Sequence, residues 1–285
     1  MPLVRFRHDG RPTLGLLRHA ATPEVTPLPL SLAELLALPL AEAQAAVEQA
    51  TGPALPFAPA DVLPPVDEQE VWAAGVTYRR SRDGRIEESG NETLYDHVYA
   101  SARPEIFFKA TPARVVTDGQ PVGIRADSSW DVPEAEIGLV INAGGEIVGY
   151  LAGNDMSSRS IEGENALYLP QAKMYEASCA LSASITPVWE APPLPLSVSV
   201  TISRGPETVY AGQTSSDAMQ RTFLELVTWL TLALPMPAGA VLLTGTGLVP
   251  GADVTVEPGD VITVEVDGVA RLVNPVIRVG SPAPV

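Results

Sequence analysis

The sequence predicts a mostly β, α+β fold, in which a mixed β-barrel or stacked-sheet domain carries a small N-terminal α+β domain. Three observations lead there. Short β-like runs, "EIFFKA", "EIGLVI", "EIVGYLAG", "LSVSVTISRG", "GAVLLTGTG", "DVITVEV" and "ARLVNPVIRV", follow one another between Gly, Pro and Asp turns. Helical spacing is confined to a few stretches, which suits helices placed at the edges of a β structure. A proline-rich segment, "TGPALPFAPADVLPPVDE", separates these runs from an earlier part of the chain.

Taken in order, "VRFRHDGRPTLGLLRH" reads as two short strands around an Asp9-Gly10 turn. "SLAELLALPLAEAQAAVEQA" follows as helix, with Ser31 at the N-cap position and leucines and alanines at helical spacing. The proline-rich linker then sets a boundary near residue 66, giving a domain and linker at 1–66 and a larger domain at 67–285. Within the larger domain, helices are expected near "NETLYDHVYASA" and in "SSDAMQRTFLELVTWL" behind a serine cap.

Composition excludes several classes of function. The 285 residues carry a formal net charge of -16, which repels nucleic-acid phosphates and anionic lipid. An anionic small molecule needs a local source of positive charge on such a protein. Cys179 is the one cysteine, so neither an intrachain disulfide nor a thiolate metal cluster forms within a single chain. The start "MPLVRFRHDG" is charged where a signal peptide is apolar. The uncharged run "LVTWLTLALPMPAGAVLL" is broken by Pro235, Pro237 and Gly239, and reads as a helix end, a loop and a strand start. The expectation is a soluble, cytoplasmic protein with no membrane and no nucleic-acid partner.

"WDVPEAEIGLVI" places Glu134 and Glu136 two residues apart at the mouth of an apolar run. In a strand they point to the same face, roughly 7 Å apart at Cα. A bound cation relieves such a pair when it is desolvated, and oxygen-only ligands suit Mg2+, Mn2+ or Ca2+. Asp155, at the end of "GYLAGND", is a third acidic candidate. The spacing equally fits a solvated strand face, and the residues alone leave both readings open. Lys173, in "LYLPQAKMYEAS", is one of only two lysines, with Lys109. Near carboxylates it can stabilise an enolate, shuttle a proton or simply hold the acids in place.

"PEAEIGLVI", "GYLAGNDMSSRS" and "ENALYLPQAK", with "LLTGTGLVPG" and "VEPGDVITVEV" further on, resemble the fumarylacetoacetate hydrolase superfamily over about residues 70 to 276. The resemblance implies a divalent ion, usually magnesium, held by Glu134, Glu136 and Asp155, with Lys173 as the active-site lysine. It also implies that Thr246 of the "GTG" turn touches substrate and that Glu162 makes a polar contact, and it suggests a homo-oligomer. Hydrolases of this family often carry a water-activating histidine after a "G-x-N-Y" segment. The matching stretch here, "GVTYRRSRDGRIEES", has none, and His97, in "LYDHVYAS", reads better as a packed or surface group.

"TYRRSRDGR", "RPEIFFKA" and "GENALYLPQAK" are more similar to the sugar-acid dehydratase branch of that superfamily. That branch acts on 2-keto-3-deoxy-D-arabinonate, a small anionic 2-keto acid, and gives 2,5-dioxopentanoate. In it Glu105 matches a glutamate implicated in proton transfer, while Tyr78 and Arg82 fall on the substrate side. By strand alternation Glu105, Phe107 and Lys109 share one face. Arg79, Arg80, Arg82 and Arg85 supply positive charge for an anion, or form a solvated loop. The expected activity is a metal-dependent dehydration through an enolate. Its rivals are hydrolysis of an acylpyruvate such as fumarylpyruvate, decarboxylation of oxaloacetate, and a non-catalytic metal-stabilised binding protein.

Overall fold

The structure, a computed structural model, describes residues 1–18, 23–81, 83, 86 and 97–281. The chain opens with β1 (Leu3–His8), β2 (Arg11–Arg18), β3 (Glu24–Pro27) and β4 (Leu55–Pro56), an antiparallel meander, with β5 (Val62–Leu63) beside β1. Asp9 and Gly10 join β1 to β2 at φ of 49° and 76°. This is the two-residue hairpin that the twist of paired strands favours. Between β3 and β4, α1 (Leu32–Leu36) starts at Ser31, whose hydroxyl accepts from Glu34 N while the Glu34 carboxylate accepts from Ser31 N. This reciprocal pair satisfies two donors that would otherwise be left unbonded at the helix start. Next comes α2 (Leu40–Glu48).

The middle of the chain gives β6 (Glu70–Gly75), β7 (Glu105–Ala110), β8 (Val115–Val116), β9 (Val122–Arg125) and β10 (Asp131–Val132). The long strands β11 (Ala135–Ile141) and β12 (Ile147–Asp155) follow, then β13 (Ser157–Ser158), α3 (Arg159–Glu164), α4 (Leu169–Lys173), β14 (Cys179–Leu181) and β15 (Ser184–Pro187). The last part holds β16 (Ser197–Arg204), β17 (Glu207–Ser215), α5 (Phe223–Thr231), β18 (Ala240–Leu243), β19 (Val261–Val266) and β20 (Ala270–Val279). The cap of α5 is Thr222, accepting from Glu225 N at 3.1 Å, rather than a serine further upstream. Residues Ser216–Ala218 form a separate 3-10 turn, so the helix starts later than its sequence suggested. The helix expected near "NETLYDHVYASA" falls mostly outside the described residues.

Two sheets stack. The larger runs β15-β12-β11-β18-β6-β7, and β1 pairs with β15, so the N-terminal meander extends the same sheet. The smaller runs β17-β16-β19-β20-β9. Alternation in β16 turns Val198, Val200 and Ile202 inward, and they meet Ile137, Leu139 and Ile141 of β11 in one core. The other face of β11 and β12 packs Val140 and Leu151 against Leu32, Leu35 and Leu36 of α1. Both faces of β11 are therefore covered, and all seven of its residues are buried.

The larger sheet also coils. In strand order β7 lies four steps from β12, about 19 Å on a flat sheet. Nevertheless Lys109 of β7 ion-pairs with Asp155 of β12. Just after β7, β8 pairs in parallel with β14, which itself pairs with β12. The sheet thus wraps round one face, as a coiled stacked-sheet fold rather than a closed barrel, and the wrapped face holds the site. Among the described residues no helix is long and apolar enough to cross a membrane.

Candidate active site

Strand alternation sends the odd residues of β11 into the inter-sheet core and leaves Glu136 on the wrapped face, with Glu134 just ahead of the strand. Antiparallel pairing sets Glu136 opposite Gly153, and Asp155 N donates to Glu134 O at 3.0 Å. Asp155 therefore enters the same face. One oxygen from each of Glu134, Glu136 and Asp155 lies within 4.8 Å of the others, and all three residues are buried.

Three buried cations meet this charge. Lys173, the last residue of α4, donates from Nζ to Glu134 Oε2 at 2.8 Å, Asp155 Oδ2 at 3.1 Å and Ser157 Oγ at 2.6 Å. These acceptors match the three N–H donors of an ammonium. Lys109 Nζ pairs with Asp155 Oδ1 and donates to Lys173 O at 2.5 Å and Met156 O at 3.1 Å. Arg159 bridges Glu134 Oε1 at 2.7 Å and Glu162 Oε2 at 2.9 Å. Such pairs survive burial only because each desolvated charge finds hydrogen-bonded partners of opposite sign.

Glu136 is served differently. Its Oε2 accepts from Gly245 N at 2.6 Å. Gly245 sits at φ 87°, and a Cβ there would strike Thr77 Oγ1, so the turn that aims this N–H requires glycine. Glu136 Oε1 has no hydrogen-bond partner among the described residues. Burial foremost, then the charges of Asp155 and Glu134, push its carboxyl well above the ordinary range, while Lys173 and the Gly245 N–H pull part of the way back. A buried, unbonded carboxylate oxygen in an all-oxygen donor set fits Mg2+, Mn2+ or Ca2+, whose charge relieves the repulsion among the three acids.

Across the wrapped face, Glu105 opens β7 opposite Gly75. Its carboxyl lies over Gly75, occupying the place a Cβ would take. Glu105, Phe107 and Lys109 do share one face: Phe107 presents its ring 5.6 Å from Lys173 Nζ, and Lys109 reaches Asp155.

Residues 71–277 match the fumarylacetoacetate (FAA) hydrolase C-terminal family. The chain belongs to that family. It is 48% identical over 216 residues to a probable 2-keto-3-deoxyxylonate dehydratase of Haloferax volcanii, covering 75% of this chain and 74% of that protein. It is 36% identical over 220 residues to a 2-dehydro-3-deoxy-D-arabinonate dehydratase of Saccharolobus solfataricus, covering 75% and 74%. Among solved structures it resembles a 2-keto-3-deoxy-D-arabinonate dehydratase complexed with magnesium and 2,5-dioxopentanoate. The TM-score is 0.84 at 29% identity, over 98% of this chain and 99% of that one.

Within this member of the fumarylacetoacetate hydrolase family, Glu134, Glu136, Asp155 and Lys173 converge, and Glu162 joins them through Arg159. Tyr78 is buried; burial first, then the charge of Glu136, raises the pKa of its hydroxyl. Thr246 is buried too, and its hydroxyl accepts from Leu248 N at 3.0 Å within its own turn. Arg79 and Arg80 are exposed, whereas Arg82 and Arg85 lie outside the described residues. His97 is exposed.

Three contributors escaped the sequence reading. Lys109 carried a usable signal, as one of two lysines and on the Glu105 face. Arg159 and Ser157 carried one only in "DMSSRS", since Glu134 lies just ahead of β11 and Lys173 on α4.

Proposed function

We propose that the protein is a magnesium-dependent dehydratase that converts a 2-keto-3-deoxy-D-pentonate to 2,5-dioxopentanoate. The observation that carries this reading is Glu136 Oε1, a buried acceptor lacking a hydrogen-bond partner among the described residues, beside an ammonium already engaged by the other two acids. The relatives support the substrate class. Their two names are chemically compatible. Once C2 is a ketone and C3 a methylene, C4 is the only stereocentre left, so in the D series the xylonate and arabinonate derivatives are one compound.

Glu134, Glu136 and Asp155 would hold the ion, which when bound supplies a Lewis acid that polarises the 2-keto group and favours negative charge on its oxygen. The remaining work falls to the chain's own side chains. Glu105 accepts a proton from C3. Lys173, whose ammonium is held by Glu134, Asp155 and the Ser157 hydroxyl, stands ready to protonate the C4 hydroxyl as it leaves. Loss of that hydroxyl as water leaves a C3–C4 double bond; transfer of a C5 proton to C3 then gives the C4–C5 enol, whose hydroxyl proton moves to C4 to leave the terminal aldehyde. Water is the only fragment lost. Arg79 and Arg80 offer an approaching carboxylate positive charge on an otherwise acidic protein.

Hydrolysis of an acylpyruvate is less well served. Of the three histidines, His97 is exposed, His8 at the end of β1 lies beside Asp9 of the following turn, and His19 lies outside the described residues. Incubation with magnesium and a panel of 2-keto-3-deoxy acids, acylpyruvates and oxaloacetate tests the reading. A semialdehyde from the pentonate is expected. Pyruvate from an acylpyruvate or from oxaloacetate would overturn it, and metal binding without turnover of any of them would favour a binding protein. The same reading places the enzyme in the cytoplasm as a homo-oligomer, for which light scattering is the check.

A further inference from the structure

Strands β6 and β7 are hydrogen-bonded neighbours, with Gly75 opposite Glu105, yet residues 76–104 lie between them. One tripeptide, Met219-Gln220-Arg221, touches both described ends of that excursion. At its start, Met219 forms a β-bridge with Tyr78, and Gln220 N donates to Thr77 O at 2.8 Å. At its end, Arg221 donates to Ser101 O and, at 3.3 Å, to Ala102 O. The next residue along, Arg103, lays its guanidinium 4.5 Å from the ring centre of Trp229 on α5.

The tripeptide is itself held firmly. It runs straight into Thr222, the cap of α5, and that helix buries Phe223, Leu226, Val227 and Leu230 in the inter-sheet core. The Arg221 side chain is 8% exposed, and its carboxylate partner, Glu225, lies 2.7 Å away on the first turn of the helix. A guanidinium is costly to desolvate, and here it is directed at two main-chain carbonyls of a distant segment. Those carbonyls belong to residues four and three positions ahead of Glu105.

We propose that Arg221 is a positioning residue for the dehydration: by holding Ser101 and Ala102 against α5 it fixes where β7 begins and hence where the Glu105 carboxyl stands over Gly75. The proposal rests on the reading of Glu105 as the proton acceptor. It extends that reading by tying both Glu105 and Tyr78, on opposite ends of the excursion, to a single core-anchored tripeptide. Misplacement of a reacting group by about 1 Å can cost on the order of a hundredfold in rate. A guanidinium bound to Glu225 and to the carbonyls of Ser101 and Ala102 can therefore govern turnover without touching substrate.

The test uses the full-length protein with magnesium and compares R221Q, R221K and E105Q. R221Q is expected to lower kcat and raise KM, each by about tenfold, while R221K, which keeps one donor for a carbonyl, recovers part of the loss. The Mn2+ dissociation constant should stay within about twofold in all three, because Glu134, Glu136 and Asp155 stand on or beside other strands. Parent-like kcat and KM in R221Q would overturn the proposal. So would a loss that merely follows a fall in the Mn2+-binding fraction, as general unfolding would produce. If E105Q itself turns over like the parent, the reading of Glu105 fails, and amide hydrogen exchange judges Arg221 separately. Faster exchange across residues 101–106 in R221Q supports the clamp; unchanged protection there refutes it.

Discussion

Glu134, Glu136 and Asp155 stand at the centre of the larger sheet, on or beside strands covered on both faces, and three buried cations grip them from β7, α3 and α4. Glu105 stands instead at the start of the outermost strand, half-buried, at the end of a long excursion whose described ends are tied down by backbone contacts and by the guanidinium groups of Arg221 and Arg103. The first region is built to hold charge in a fixed place, which a metal requires. On the proposed reading, the second brings a single carboxyl up to whatever the first has bound. Catalytic groups work only when the surrounding structure fixes their geometry, and here the acids are fixed by buried ion pairs whereas the start of β7 is tied to a distant tripeptide. The two sides should therefore fail differently when altered.

The largest effect is expected in the central region. Glu136→Gln removes a ligand charge and should weaken Mg2+ or Mn2+ binding by more than about a hundredfold, since loss even of outer partners costs 10–100-fold; calorimetric titration is the check. At the edge, Glu105→Gln should lower kcat by about a hundred- to ten-thousandfold with metal affinity retained. Loss of metal binding in that variant would erase the distinction between the regions. Lys109→Met leaves Asp155 Oδ1 and two carbonyls facing a methyl group. Removing one partner of a buried pair costs about 3–5 kcal/mol, so denaturant unfolding should show a loss of that size. Smaller still, Gly75→Ala drives a methyl group into the Glu105 carboxyl. It should reduce kcat about tenfold while leaving metal affinity and unfolding nearly unchanged.

The smallest effect concerns pH. Burial pushes the Asp131 carboxyl up to about 6. A carboxyl raised on folding favours the native state while protonated, and that advantage is lost as pH rises through the folded value. Asp131→Asn should therefore melt higher than the parent above about pH 6, and the gap should close toward pH 4. An equal gap at pH 4 and pH 7.5 would contradict the assignment.

What could be read from the sequence follows the range of each interaction. Glu134 and Glu136 share a face because strand alternation is local, and Asp155 follows from the neighbouring hairpin strand. Lys109 and Arg159 reach the same charges only because the sheet coils and α3 folds back, so their local signals could not name these partners. The Asp9-Gly10 turn and the Ser31 cap were likewise local and legible. The Thr222 cap was not, since "SSDA" offers serines and only the 3-10 turn at Ser216–Ala218 moves the helix start past them. For Arg221 only the i,i+4 pair with Glu225 was local, because its other partners are main-chain carbonyls more than a hundred residues away.

The central claim is that three carboxylates hold a divalent ion in the service of an elimination. The most direct test follows 2-keto-3-deoxy-D-pentonate by proton NMR with the wild-type protein, first with magnesium and then after its removal by a chelator. The account predicts 2,5-dioxopentanoate as the sole product, stopping when the metal is removed and resuming when it is restored. Cleavage to pyruvate and glycolaldehyde, or dehydration that continues undiminished without metal, would contradict it.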